Sequence, residues 1–249
     1  MADYDRAGYL DVIFLVMSRD PSVRHYGLIY LGGTGGFSPA RTLRAAPRAY
    51  KSLYLATADL DRDGFLDLIF GGTETPDQLS EIVWGGRRGF SERTSTLLKT
   101  NWVNVPAVAD LDGNGWLDIV FPGRMDALTQ STHTRSLILW GGADGFSERN
   151  GTEPEAFNAS VIRVSDLNRD GSLDLVSSNY KAEHTRSLPV FIYWGSTGAG
   201  YEDGRRSELP AESSCGIQLL DLNQDRYPEI VVNNHIKEEA LLRFLDSCP

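Results

Sequence analysis

The chain has 249 residues, 41% of them hydrophobic and 23% charged, with 25 glycines and 11 prolines spread along its whole length; this is enough to bury a sizeable core, and no linker, low-complexity tract or domain boundary stands out. Its 34 acidic against 24 basic residues leave a formal charge of −10, which gives no electrostatic reason to expect nucleic acid or an anionic membrane as partner. No run approaches the roughly 18 apolar residues of a membrane span, Met1 to Asp5 lacks the basic and apolar stretches of a signal peptide, and two cysteines, Cys215 and Cys248, fit a single bridge or two free thiols equally well.

One nonapeptide organises the sequence. It appears first as Asp3-Tyr4-Asp5-Arg6-Ala7-Gly8-Tyr9-Leu10-Asp11, then as Asp59-Leu60-Asp61-Arg62-Asp63-Gly64-Phe65-Leu66-Asp67 and Asp110-Leu111-Asp112-Gly113-Asn114-Gly115-Trp116-Leu117-Asp118. Asp166-Leu167-Asn168-Arg169-Asp170-Gly171-Ser172-Leu173-Asp174 and Asp221-Leu222-Asn223-Gln224-Asp225-Arg226-Tyr227-Pro228-Glu229 follow, so the copies start 56, 51, 56 and 55 positions apart. Short runs rich in β-branched and aromatic residues flank each copy, as in Val105 to Ala109 and Asp118 to Phe121. A second signature comes later in each unit: Ile29-Tyr30-Leu31-Gly32-Gly33, Ile82-Val83-Trp84-Gly85-Gly86, Ile138-Leu139-Trp140-Gly141-Gly142 and Ile192-Tyr193-Trp194-Gly195-Ser196. Gly36-Phe37-Ser38, Gly89-Phe90-Ser91, Gly145-Phe146-Ser147 and the divergent Gly200-Tyr201 then open a more polar segment.

Each unit therefore reads strand A, acidic loop, strand B, variable loop, strand C, glycine turn, strand D. Four antiparallel strands per unit at this period predict an all-β protein, a β-propeller of about five four-stranded blades or a fragment of a larger propeller. A β-solenoid is the rival, with much shorter repeats. The units fall at about 1–51, 52–102, 103–158, 159–213 and 214–249 of a single domain, the first and last of them incomplete.

The pattern resembles the FG-GAP repeat of integrin α-subunit propellers and the related VCBS-type repeats of bacterial extracellular proteins. The resemblance implies calcium-binding blades, a ligand-facing side formed by the B–C and D–A loops, and an extracellular or cell-surface setting. Integrin-type rings usually have seven blades, and this chain has five acidic loops.

The residues support calcium independently. A hard cation taking six to eight oxygens needs several carboxylates or carbonyls on a tight turn. Loop positions 1, 3, 5 and 9, with the carbonyl of position 7, supply Asp59, Asp61, Asp63, Phe65 and Asp67 in the second copy, and Asp110, Asp112, Asn114, Trp116 and Asp118 in the third. Asp166, Asn168, Asp170, Ser172 and Asp174 form the fourth set. The outer sets are weaker: Asp3, Asp5 and Asp11 with Ala7 at position 5, and Asp221, Asn223, Asp225 and Glu229 with Arg226 in place of glycine. Position 12 holds Phe14, Phe70, Phe121, Ser177 and Val232, not the bidentate Glu of an EF-hand. Sixteen of the 34 acids lie in these loops, and five Ca2+ would balance the formal deficit. The alternative is plain Asx-turns without an ion, which Asp and Asn form readily.

All four histidines fall in the B–C segments. His133-Thr134-Arg135 and His184-Thr185-Arg186 repeat, while Arg24 lies near His25 and Lys237 near His235. His133, Arg135, His184 and Arg186 are thus candidates for binding carboxylate, sulfate or sugar hydroxyls, beside the reading that they are ordinary polar loops. Trp84, Trp140 and Trp194, replaced by Leu31 in the first copy, are expected to pack between blades. Asn150 and Asn158 fit the N-glycosylation pattern, a short signal that often arises by chance. No nucleophile elbow, P-loop or zinc-protease motif is present. The expected function is calcium-stabilised recognition of a protein or carbohydrate ligand, with no nucleic-acid partner and no membrane insertion. The alternatives are a polysaccharide-active lyase or hydrolase using the central channel, and a structural or engineered fragment without a ligand.

Overall fold

A computed structural model of the protein describes residues 1–18, 20, 25–47, 52–72, 78–90, 95–146, 151–196 and 200–235. In the first unit β1 (Val12–Val16), β2 (Tyr26–Tyr30) and β3 (Thr42–Ala45) pair in that order, and Ala2 bridges Asp11 where strand A would lie. The second unit is one four-stranded antiparallel sheet of β4 (Ser52–Ala58), β5 (Asp67–Gly72), β6 (Leu79–Val83) and β7 (Ser95–Lys99).

The third unit has the same plan broken across its middle. Strand A splits into β8 (Trp102–Val103) and β9 (Ala107–Ala109), strand B into β10 (Asp118–Phe121) and β11 (Gly123–Met125), and strand C into β12 (His133–Arg135) and β13 (Leu137–Leu139). Strand D is β14 (Glu155–Phe157), paired with β12. Pro106, Pro122 and Pro154 line the break, where each lacks the N–H a ladder needs. Bonds from Asn104 N to the Pro122 carbonyl and from Ser136 N to the Pro154 carbonyl carry the pairing across it.

The fourth unit returns to four strands in sequence, β15 (Ala159–Ser165), β16 (Asp174–Asn179), β17 (Val190–Tyr193) and β18 (Arg206–Leu209), with a 3-10 turn at Asp203–Arg205. The described part of the fifth is the hairpin of β19 (Ser214–Leu220) and β20 (Glu229–Asn234).

Successive units stack face to face, and the period of two along strand B sorts its side chains. The first and third residues after the loop's closing carboxylate face the preceding unit: Leu68 and Phe70 pack with Tyr4, Ile29 and Ala45. Ile119 and Phe121 pack in the same way with Leu60, Ile69 and Ile82, and Leu175 with Leu111, Val120 and Ile138. Ile230 and Val232 join Val176, Val190 and Ile192. The second residue after that carboxylate, the apolar residue at loop position 2 and the strand C isoleucine face the following unit. Because both faces are covered, β5, β10, β16 and β17 are buried at every residue, and after the opening aspartate of the first three their sequences run apolar for two or three residues.

Candidate metal centre and ligand face

Each acidic loop is wound by its own carboxylates. In the second, Asp61 Oδ1 accepts the Asp63 N–H at 3.1 Å, Asp63 Oδ1 the Phe65 N–H at 2.7 Å and Asp59 Oδ2 the Gly64 N–H at 3.0 Å. The third repeats this with Asp112 to Asn114, Asn114 to Trp116 and Asp110 to Gly115, and the fourth and fifth do so with Asn168 and Asp170 and with Asn223 and Asp225. The first lacks the position 5 bond, having Ala7 there. Two residues per loop take left-handed backbone: position 4 (Arg6, Arg62, Gly113, Arg169, Gln224) and position 6, a glycine at φ 85° to 88° in the first four loops and Arg226 at 76° in the fifth.

The closing carboxylate does something the spacing did not reveal. Asp67 is fully buried; its Oδ2 accepts the Leu60 N–H and its Oδ1 the Gly85 N–H, both at 2.8 Å. Asp11 joins Tyr4 to Gly32, Asp118 joins Leu111 to Gly141 and Asp174 joins Leu167 to Gly195 in the same way. Each staples the loop to the glycine turn of strand C in its own unit. The glycine is needed for proximity: a Cβ on Gly85 would stand 2.2 Å from the Leu66 carbonyl oxygen, and Gly32, Gly141 and Gly195 meet the matching leucine carbonyls as closely. Glu229 makes only the first of these bonds among those described, to Leu222 at 2.6 Å.

Three loops gather carboxylates tightly. Asp3, Asp5 and Asp11, then Asp59, Asp61 and Asp67, then Asp110, Asp112 and Asp118 each bring three ligand oxygens within 4.8 Å of one another. Asp63 lies outside the second group, and the carboxylates of the fourth and fifth loops, spaced by Asn168 and Asn223, form no such group among the described residues. Burial pushes the Asp67 carboxyl up to about 7, against the pull of the Gly85 and Leu60 N–H groups and with a further push from Asp61 and Asp59. Asp118 is pushed up to about 6 for the same reasons. In both loops one oxygen is left over: Asp59 Oδ1 and Asp110 Oδ1 are buried without a hydrogen-bond partner. An anionic oxygen so placed costs free energy unless a cation meets it. The donor set is all oxygen, which suits calcium and disfavours zinc or copper.

Neighbouring loops are tied by an arginine. Arg6 lies 5.2 Å over the ring of Phe65, Arg62 4.6 Å over Trp116 and Arg169 5.4 Å over Tyr227. Arg62 also donates to the Gly115 carbonyl. The pair is missing at both ends between the third and fourth loops, where Gly113 and Ser172 stand. An arginine at position 4 followed one period later by an aromatic at position 7 was legible in the sequence.

On the opposite side, His133 and Arg135 belong to strand β12, not to a loop as expected, because Thr134 and its neighbours pair with β14. His133 stacks on Phe157 at 4.5 Å and meets Glu155 Oε1 through Nε2 at 2.7 Å, while Arg135 reaches Asp203 at 2.9 Å. With Lys99, Asn101, Asp126 and Glu153 they line a groove of about 620 Å³ between the second and third units. His184 and Arg186 are exposed in the next unit and do not line it; Arg186 lies 5.0 Å over Tyr180. His25 is buried, so it cannot present a donor to solvent. Trp84, Trp140 and Trp194 pack against the cores between units, each donating its indole N–H to Thr96, Thr152 or Ser207. Asn158 is buried. Arg24, Lys237, Asn150 and Cys248 lie outside the described residues, and with Cys248 the bridge to the exposed Cys215.

Among the described residues no helix is long and apolar enough to cross a membrane. No curated protein matches the chain. The family model described as FG-GAP-like repeat matches residues 3–70, from the first acidic loop into β5. Residues 3–70 are thus an FG-GAP-type repeat segment, and the chain is an all-β protein of the β-propeller kind that such repeats build.

Proposed function

We propose that this protein is a calcium-stabilised recognition module for a protein or carbohydrate ligand, working outside the cell or at its surface. The observation that carries the calcium reading is the buried, unpartnered oxygen of Asp59 and of Asp110, each in a loop whose carboxylates crowd within 4.8 Å. The second oxygen of each is taken by the N–H of Gly64 or Gly115, which leaves these two buried oxygens for a cation. Asp59, Asp61 and Asp67 would hold one ion and Asp110, Asp112 and Asp118 another, with Asp3, Asp5 and Asp11 as a third set. Asp63, Asn114 and the carbonyls of Phe65 and Trp116 are further donors. Bound calcium supplies the positive charge that lets these loops stay folded, and its role is structural. Asp166, Asn168, Asp170, Ser172 and Asp174, and Asp221, Asn223, Asp225 and Glu229, are weaker candidates because amides replace carboxylates at position 3.

The ligand reading rests on the His133 and Arg135 groove, whose mixed donors and acceptors suit hydroxyl-rich or peptide groups. Millimolar calcium outside cells would fill sites of modest affinity, which fits the proposed location. The polysaccharide-active alternative gains no support from the inner strands. There a hollow of about 570 Å³ is lined by Tyr54, Asn104, Arg163, Cys215 and Gln218 among others, with no carboxylate pair.

Terbium, which replaces calcium at oxygen sites, tests the metal assignment. Added to the chelator-stripped chain, it should give luminescence sensitised by Trp116 in the third loop. Calcium should displace it, and the Asp110→Asn/Asp112→Asn variant should reduce it. Absence of sensitised emission would reject the third loop as a metal site.

A further inference from the structure

The arginine ties join the acidic loops in a row that matches their chemistry. Arg6 reaches the second loop and Arg62 the third, and the first three loops are the ones that crowd carboxylates within 4.8 Å. The row stops there, because Gly113 has no side chain to send towards the fourth loop. Between the second and third loops the guanidinium rests on the position 6 glycine. Arg62 Nη2 donates to the Gly115 carbonyl and would stand 2.9 Å from a Cβ on that residue. The Gly115 N–H in turn donates to Asp110 Oδ2 at 2.8 Å, and the other oxygen of Asp110 is the buried one without a partner. The next residue, Trp116, has its ring under the guanidinium and its carbonyl among the proposed donors. Arg62 therefore braces the stretch of the third loop that aims its oxygens inward. At its own end Arg62 stands between Asp61 and Asp63 at φ 63°, a left-handed turn that is unfavourable for a residue with a side chain. The winding of the second loop holds that turn, so whatever fixes the loop also fixes where Arg62 points.

We propose that cation binding in the second and third loops is coupled through Arg62, each filled loop raising the affinity of the other. The inference rests on the metal reading above and adds to it a path between two sites. Reciprocity follows from linkage: if the second loop favours the third, the third favours the second by the same factor.

The probe is terbium on the chelator-stripped full chain, read as the concentration that gives half of the third-loop emission, which is the part lost in Asp110→Asn/Asp112→Asn. Asp59→Asn/Asp61→Asn keeps the turn acceptors of the second loop and removes the charge that would hold a cation. It should raise the half-saturating concentration about two- to fivefold, the strength of an exposed cation–π contact. Arg62→Ala should raise it by a similar factor, and the combined variant should go no further than either. Arg169→Ala removes the matching arginine over Tyr227, between the fourth and fifth loops, and should leave the third loop unchanged. If Asp59→Asn/Asp61→Asn fails to fold, the contrast between Arg62→Ala and Arg169→Ala decides the matter. A third loop indifferent to both second-loop changes overturns the coupling and leaves the metal assignment standing, and so do factors that multiply in the combined variant. Absence of sensitised emission from the unaltered chain overturns both.

Discussion

The second and fifth acidic loops start from the same nine-residue plan and reach different degrees of closure. In the second, Gly64 takes the left-handed turn without strain, and Asp67 is short enough to sit fully buried between two main-chain donors. In the fifth, Arg226 must adopt φ 76°, a conformation that costs a side-chain-bearing residue about 1–2 kcal/mol. The longer Glu229 is only partly buried and holds Leu222 alone among the described bonds. The difference lies in reach and turn geometry more than in charge, since both loops keep acids at positions 1, 5 and 9. A loop of this kind is closed by the fit of its last carboxylate to the glycine turn, and its oxygens are then presented inward.

Removing that carboxylate should separate the two loops most widely. With chelator present throughout, so that metal loss is not counted, Asp67→Ala leaves two buried N–H groups unpaired and should lower stability by about 2–5 kcal/mol. Glu229→Ala, releasing one exposed bond, should cost about 1 kcal/mol or less in the same urea titration. Equal losses would mean that the closing residue is not what distinguishes the loops. The turn itself can be repaired: Arg226→Gly should raise stability by about 0.5–1 kcal/mol, read as a higher urea midpoint at unchanged slope. The smallest effect is expected at the clasp between loops, where Arg62→Ala removes a cation over Trp116 and should cost about 0.5–1 kcal/mol. Trp116 fluorescence should change with it, and unchanged emission would mean that the guanidinium does not hold the ring in solution.

The strand order and the loop positions were open to reading because the physics that sets them is local. Continuous apolar runs such as Leu68 to Phe70 report burial on both faces, and Asp or Asn at alternate positions reports a backbone wound by its own side chains. The contacts that complete the site join residues 18 to 23 positions apart, as Asp67 joins Gly85 and Asp118 joins Gly141. No pattern in the nonapeptide announces them, and the glycines of strand C read as turn formers when they are needed for close approach to a leucine carbonyl. The histidines divided for a similar reason. His25, His133 and His184 hold comparable places in the repeat, yet one is buried, one lies on a strand against Phe157 and one is exposed in a loop. The surroundings of His133 are set by the broken third sheet, which depends on where Pro106, Pro122 and Pro154 fall, and the other two lie in units without that break.

The most direct test of the whole account is a calorimetric calcium titration of the chelator-stripped chain, with thermal melts of the same samples before and after. Binding of at least three ions, one for each crowded carboxylate group, together with a large rise in melting temperature is the predicted result. Absence of binding heat, with a melting temperature unchanged between calcium and excess EDTA, would contradict it and leave the acidic loops as turns held by their own hydrogen bonds.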